Sequence, residues 1–388
     1  MNKVRLIVVL VATILALTVG YFLWPSADEV GPPLVRLPTT DPFAAPGASP
    51  DNGTGGQLPA PESFGLVAEN SVANFFVNPD NSIFLVQPDG QVAEVREGKS
   101  TVLSSSLIAN LRKAIFSYDG KMLLVLFGEK NSPQASVFEI GTRSWSPIAI
   151  YPEDAVWSPS THELAYLTEK GGVATVSLLL VGDQKAKPRD LLTLHAFDLT
   201  LQWPQSQQIF LLEKGSSVSQ ASAWKLDVKT KEFVPVVLDK VGFQSAWSGD
   251  LGLVLSGNET GRGGTLVLSD NKGTVLRELN FLTLPIKCTF SGSSVQAATG
   301  TIPTAGYLDC ATPRGEKAFR LNPIPDAYER MALFTTDDFY RINLNDGTIS
   351  AILTDSSRDV DGFMLRAVNG RLFFVNRYDQ KLYTALLP

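Results

Sequence analysis

Hydrophobic and polar positions divide the chain into three stretches of different rhythm. Residues 6–24 form an apolar run of about 19 residues without a single charge, long enough as a helix to span a hydrocarbon core of roughly 30 Å. Residues 25–61 turn abruptly to Pro, Gly, Ser, Ala and Asp, as in DPFAAPGASPDNGTGGQLPAPES. Such a segment cannot bury enough apolar surface to offset its conformational entropy and is predicted to be a disordered or polyproline II spacer. From residue 62 to 388 the apolar positions come in short runs rich in β-branched and aromatic residues, separated by Pro, Asp, Asn and Gly. That rhythm predicts an all-β body.

Within the body one unit recurs: an aromatic or apolar strand, a polar turn, then a strongly apolar strand. It reads FFVNPDNSIFLV from Phe75, AIFSYDGKMLLVLF from Ala114, AVWSPSTHELAYLT from Ala155, LQWPQSQQIFLLE from Leu201, SAWSGDLGLVLSG from Ser245 and CTFSGSS from Cys288. Val77, Phe116, Trp157, Trp203, Trp247 and Phe290 hold the same place in each unit, at spacings of 39, 41, 46, 44 and 43 residues. This period matches one four-stranded propeller blade. A second hairpin follows in each unit, for example DFYRINL, the turn NDG and TISAIL, where the tight turn asks for positive φ. The chain ends in LRAV, LFFVN and KLYTALL, three strands of a seventh blade. Closure by a strand from Ser63–Ala68 is therefore expected, giving seven four-stranded blades, with six or eight as the neighbouring solutions. The aromatics Phe116, Trp157, Trp203, Trp247 and Phe290 are expected to pack as blade core.

The turn Trp157-Ser158-Pro159-Ser160, and in degenerate form Phe116-Ser117-Tyr118-Asp119-Gly120, resembles the WD40-like repeat of bacterial TolB-type propellers, which also builds the propeller half of prolyl oligopeptidase-type peptidases. The resemblance covers about residues 70–388. It implies the fold and leaves the activity open, because propellers host many unrelated functions.

The flanks of the apolar run give it an orientation. Lys3 and Arg5 precede it and Asp28 and Glu29 follow, which places the N-terminus in the cytoplasm and the body outside. Tyr21 and Trp24 suit the interfacial aromatic belt. The expectation is an uncleaved single-pass anchor, Leu6 to Trp24; the competing reading is a signal peptide cut after Gly20. In an exported chain the two cysteines, Cys288 in the first strand of blade six and Cys310 in the adjoining strand, are expected to form a disulfide, with a pair of buried thiols as the alternative.

Composition narrows the function. A net charge of −6 and a pI near 5.2 argue against nucleic acid or an anionic lipid surface as partner. No G-x-S-x-G elbow occurs, and the histidines, His162 and His195, lie far in sequence from the cysteines, so no catalytic, metal or cofactor site is assigned and no cofactor is expected. The repeat is broken at residues 313–336, PRGEKAFRLNPIPDAYERMALFTT, between the second and third strands of blade six. Asp326 and Glu329 have capping-box spacing, with a short helix expected to run on through Leu333. Two readings of this insertion stand level: a docking element on the propeller rim using Asp326, Tyr328, Glu329 and Arg330, or a cover for the blade edge. The function expected is a non-catalytic, membrane-anchored scaffold binding a protein or envelope polymer; the alternative is a glycan-active propeller hydrolase using channel carboxylates.

Overall fold

A computed structural model describes residues 64–388 apart from 130–131, 184, 293–305, 316 and 355–357. The expected anchor over 6–24 and spacer over 25–61 lie outside the described residues, among which no helix is long and apolar enough to cross a membrane. The described strands form seven antiparallel sheets of four. Blades 1 to 6 occupy residues 74–104, 111–148, 154–194, 199–241, 244–278 and 288–353. Blade 7 takes three strands from residues 362–386 and its fourth from Phe64–Ala68, which pairs with Leu382–Leu386 through Phe64↔Ala385 and Leu66↔Tyr383. Ring closure is thus made by the segment that the sequence leaves spare, which covers the backbone edge of Leu382–Leu386 as the fourth strand of blade 7.

First strands of most successive blades contact one another. Because neighbouring strands in each blade are antiparallel, every blade-to-blade loop and every loop between second and third strands falls on one face, here called the entry face. The turns carrying the Trp-Ser-Pro signature fall on the opposite face.

Burial explains the motif aromatics. Phe116, Trp157, Trp203 and Trp247 are buried and Phe290 is half-buried. Each reaches back to the preceding blade: Trp157 Nε1 donates to Ile115 O at 2.9 Å, Trp247 stacks on Phe210 with centroids 4.3 Å apart, and Trp203 joins an apolar cluster with Ala165, Val176 and Leu178 of blade 3. Gly252 is glycine for this reason, since a Cβ there would enter the Trp247 ring. In blade 6, Cys288 and Cys310 are register partners on adjacent strands and form a disulfide, with Cα atoms 4.1 Å apart.

Candidate functional site

The interruption of the repeat in blade 6 is the feature that distinguishes the entry face. Between the second strand, Tyr307–Pro313, and the third, Asp337–Asn343, the chain forms two single-turn helices, α1 (Lys317–Arg320) and α2 (Asp326–Glu329). Helix α2 is not capped as its spacing suggested. Its N-cap is Pro325, with no side-chain cap. Asp326 Oδ2 instead accepts the backbone N–H of Ser217 in blade 4 at 2.6 Å, and Glu329 Oε1 accepts Gln244 Nε2 of blade 5 at 3.2 Å. Both carboxylates are spent on neighbouring blades, where they satisfy groups that a local box would not reach. The helix also ends at Glu329, short of Leu333, because Met331 adopts φ +57°.

Beneath α2 lies a sealed group of charges. Lys287, just before the first strand of blade 6, has no solvent exposure, and its Nζ donates to Asp337 Oδ2 (2.6 Å), Asp361 Oδ1 (2.5 Å) and Thr335 Oγ1 (2.9 Å). Tyr328 OH donates to the same Asp361 oxygen at 2.8 Å. Arg377 of blade 7 completes the set: Nη1 donates to Asp361 Oδ2 (2.9 Å) and Leu333 O (3.1 Å), and Nη2 to Tyr328 O (2.8 Å). Its guanidinium stacks 3.6 Å above the Tyr328 ring. Two acids and two bases make the cluster formally neutral, which is what allows it to be buried. Burial, opposed by Lys287 and reinforced by Asp361, pushes the Asp337 carboxyl above the usual carboxylate range; burial and the Asp361 charge push the Tyr328 hydroxyl up as well. Asp337 Oδ1 finds no hydrogen-bond partner among the described residues.

This cluster sorts the four rim residues. Tyr328 is buried at 3% exposure, so it cannot meet a partner and serves to fasten the insertion. Asp326 and Glu329 bridge to blades 4 and 5. Arg330 points outward, with 79% of its side chain exposed. Together with the blade 4 hairpin and the loop around His195, α2 walls a cleft of about 590 Å³ that includes Glu213, Lys214 and Asp326. The hairpin is held in place where Gly215 abuts the Phe243 backbone too closely to admit a Cβ. The other histidine, His162, lies on the opposite face, its Nε2 3.1 Å from Asp119 Oδ1.

Three uncovered blade-to-blade loops of the entry face carry large apolar side chains in solvent: Leu107, Tyr151 and Phe197, at 75, 68 and 69% exposure. Val218 on the blade 4 hairpin, Met331 and Phe334 on the insertion and Tyr378 on blade 7 add to them.

Sequence reasoning missed the charge cluster. A signal for it existed: three residues before the motif position stand Asn74, Lys113, Asp154, Thr200, Gln244 and Lys287, polar in all six units. Several of these join neighbouring blades, as in Lys113 Nζ to Asp154 Oδ1 at 2.6 Å and Asn74 Nδ2 to Ala114 O at 2.5 Å.

Neither a protein-family model nor a curated protein sequence matches the chain. Solved structures do. An oligogalacturonate lyase from Vibrio parahaemolyticus superposes with a TM-score of 0.56 at 8% identity, over 83% of this chain and 91% of that one. A prolyl endopeptidase gives a TM-score of 0.50 at 14% identity, over 83% of this chain, which spans about half of that protein's length (51%). A TolB from Acinetobacter baumannii matches at 17% identity with a TM-score of 0.36, over 53% of this chain and 62% of that one. The likeness to the first two is one of fold, a β-propeller, which the seven four-stranded sheets of this chain share. At these identities the superpositions carry the architecture and none of the activities.

Proposed function

We propose that this propeller is a membrane-tethered, extracytoplasmic docking module whose entry face binds a protein partner. The observation that carries the reading is the coincidence, on one face, of the insertion at residues 313–336 and a set of exposed apolar side chains. Isolated exposed apolar residues are ordinary, but several on the one face that carries a rigid insertion suit an interaction surface. The insertion is pinned to blades 4 to 7, so the surface is preorganised and little ordering entropy is lost on binding. Carboxylates in the cleft wall favour a partner whose apolar patch is bordered by basic residues.

Phe64–Ala68 is the fourth strand of its blade, so Phe64 lies at the face opposite the entry face. The Cys288–Cys310 disulfide supports an oxidising, extracytoplasmic setting for the body. A hydrolase would need carboxylates open to substrate. The converging pair Asp337 and Asp361 is sealed and committed to Lys287, so no catalytic role is proposed for it.

Photocrosslinking in the native membrane tests the reading, with the reactive side chain at Tyr151 or Phe197 and, as the opposite-face control, at Tyr118. A discrete adduct is expected from the first two and not from Tyr118, and Glu329→Lys should reduce its yield severalfold. Adducts of equal yield from all three positions, or from Tyr118 alone, would remove the entry face as the docking surface.

A further inference from the structure

A lysine amine and two carboxyl groups share a site with no solvent exposure. Lys287 Nζ lies 2.6 Å from Asp337 Oδ2 and 2.5 Å from Asp361 Oδ1. Three framework positions hold them: Lys287 ends the turn Pro285–Lys287 that leads into blade 6, Asp337 opens the third strand of that blade, and Asp361 immediately precedes the first strand of blade 7. The Tyr328 ring centroid is 4.9 Å from Nζ, and Phe319 packs edge-on against that ring with centroids 6.0 Å apart, both side chains buried. The site is closed to any substrate from outside, so its chemistry is confined to its own side chains.

The two acids are not equivalent. Asp361 accepts on both oxygens, from Lys287, Tyr328 OH and Thr335 Oγ1 on Oδ1 and from Thr335 N–H and Arg377 Nη1 on Oδ2. Asp337 accepts on Oδ2, from Lys287 Nζ and from Gly362 N–H at 2.8 Å, while its Oδ1 has no partner among the described residues. The donors around Asp361 suit an anion, whereas Asp337 is placed to take a proton from the amine, and burial also favours its neutral form.

We propose that Lys287 and Asp337 condense into an intramolecular amide crosslink, with Asp361 as the base. One proton passes from the ammonium to Asp337, which sets a neutral amine beside a neutral acid. Nζ then attacks Cγ of Asp337, and Gly362 N–H, already on Oδ2, steadies the oxygen on which negative charge develops. Asp361 Oδ1 takes the second amine proton and passes it to the Oδ1 hydroxyl of Asp337, which leaves as water without a hydrogen bond to break. The balance is ammonium plus carboxylate giving amide plus one water, and no co-reactant is needed. Cγ is one bond beyond the oxygen that Nζ already touches, so a small turn of the carboxyl brings the reacting atoms to a near-attack separation of roughly 3–3.5 Å. In water the separated ions are the stable form; a dry site withdraws their solvation and supplies the fixed geometry in place of an encounter. The product leaves Asp361 paired with Arg377, so the site stays neutral. One residue from the disulfide at Cys288, the new bond closes residues 287–337 into a loop and clamps the insertion in a way that reduction does not release. None of this rests on what the entry face binds.

The test is a peptide map of the full chain, purified in detergent, denatured, reduced, alkylated and cut with trypsin. A branched peptide is expected that joins residues 278–314, uncut at Lys287, to residues 331–341. It should be lighter by one water than its two parts, with fragmentation placing the link at Asp337. Lys287→Arg and Asp337→Ala should each remove it. Asp361→Asn, taken from the fraction that forms the Cys288–Cys310 disulfide, should lower the linked fraction about tenfold or more with both reacting residues still present. Complete cleavage after Lys287 in the parent, with two linear peptides recovered, would overturn the proposal, and so would a link from Lys287 to any other carboxyl; that result is read from the parent whether or not the variants fold. An Asp361→Asn protein as fully linked as the parent would overturn the assignment of the base.

Discussion

Trp157 and Trp203 occupy the same place in consecutive blades and are buried alike, at 6 and 7% exposure. Trp157 Nε1 donates to Ile115 O, whereas Trp203 Nε1 has no acceptor among the described residues. A buried donor left without a partner carries its full desolvation penalty, about 1–3 kcal/mol, while a satisfied one adds roughly 1 kcal/mol. Replacement by phenylalanine removes the indole N–H from both sites together with similar apolar area. Trp157→Phe is therefore expected to lose about 1–2 kcal/mol more than Trp203→Phe, read as the difference between their urea midpoints at constant slope. Equal losses would mean that the Trp203 N–H is in fact satisfied, for instance by a bound water.

At the scale of the element, the insertion is fastened by side chains that a local pattern cannot reveal. Asp326 and Glu329 read in sequence as a capping box, yet Asp326 serves Ser217, 109 positions away. Lys287 meets Asp337 and Asp361 from separations of 50 and 74 residues. A short-range motif competes with long-range donors, and here the long-range donors win because the entry face offers unpaired groups at fixed positions. Arg377 is the cleanest point of attack, since its guanidinium holds two backbone carbonyls of the insertion, Tyr328 O and Leu333 O. Arg377→Ala also leaves Asp361 with one cation fewer, and breaking a buried charge pair of this kind costs about 3–5 kcal/mol. The expected result is accelerated amide exchange over residues 326–335, with protection of the blade 1 to 3 strands unchanged. Uniformly faster exchange throughout the body would show that the cluster supports the whole ring and not the insertion in particular. The blades themselves were legible for the opposite reason. Each is a local unit of apolar strand, tight turn and apolar strand, and repetition at 39 to 46 residues averages out the ambiguity of any single strand.

For the whole molecule, the decisive join is between ends that are far apart in sequence. Phe64–Ala68 supplies the outer strand of a blade otherwise built from the last residues of the chain, and Phe64 packs against Tyr383 and Phe374 at centroid distances of 5.6 and 6.3 Å. The residues that follow, 69–73, then cross the entry face into the first strand of blade 1, where Val72 N–H donates to Gln380 O at 2.8 Å. The strand therefore ties blade 7 to blade 1, in a ring where the other neighbours are already joined by chain continuity. Deleting residues 1–68 should uncover Leu382–Leu386, LYTAL, as an apolar edge with unpaired backbone groups, the kind of edge that recruits further strands. The lost packing of Phe64 and Ala68 amounts to about 2–3 kcal/mol, enough to lower the melting temperature by several degrees in a body of this size. The truncated body should also run as a concentration-dependent mixture on size exclusion, whereas a body beginning near residue 62 should not. If the truncation stayed monomeric with an unchanged melting temperature, closure of the ring would rest on inter-blade packing of the inner strands alone, and the outer strand would be dispensable to the architecture.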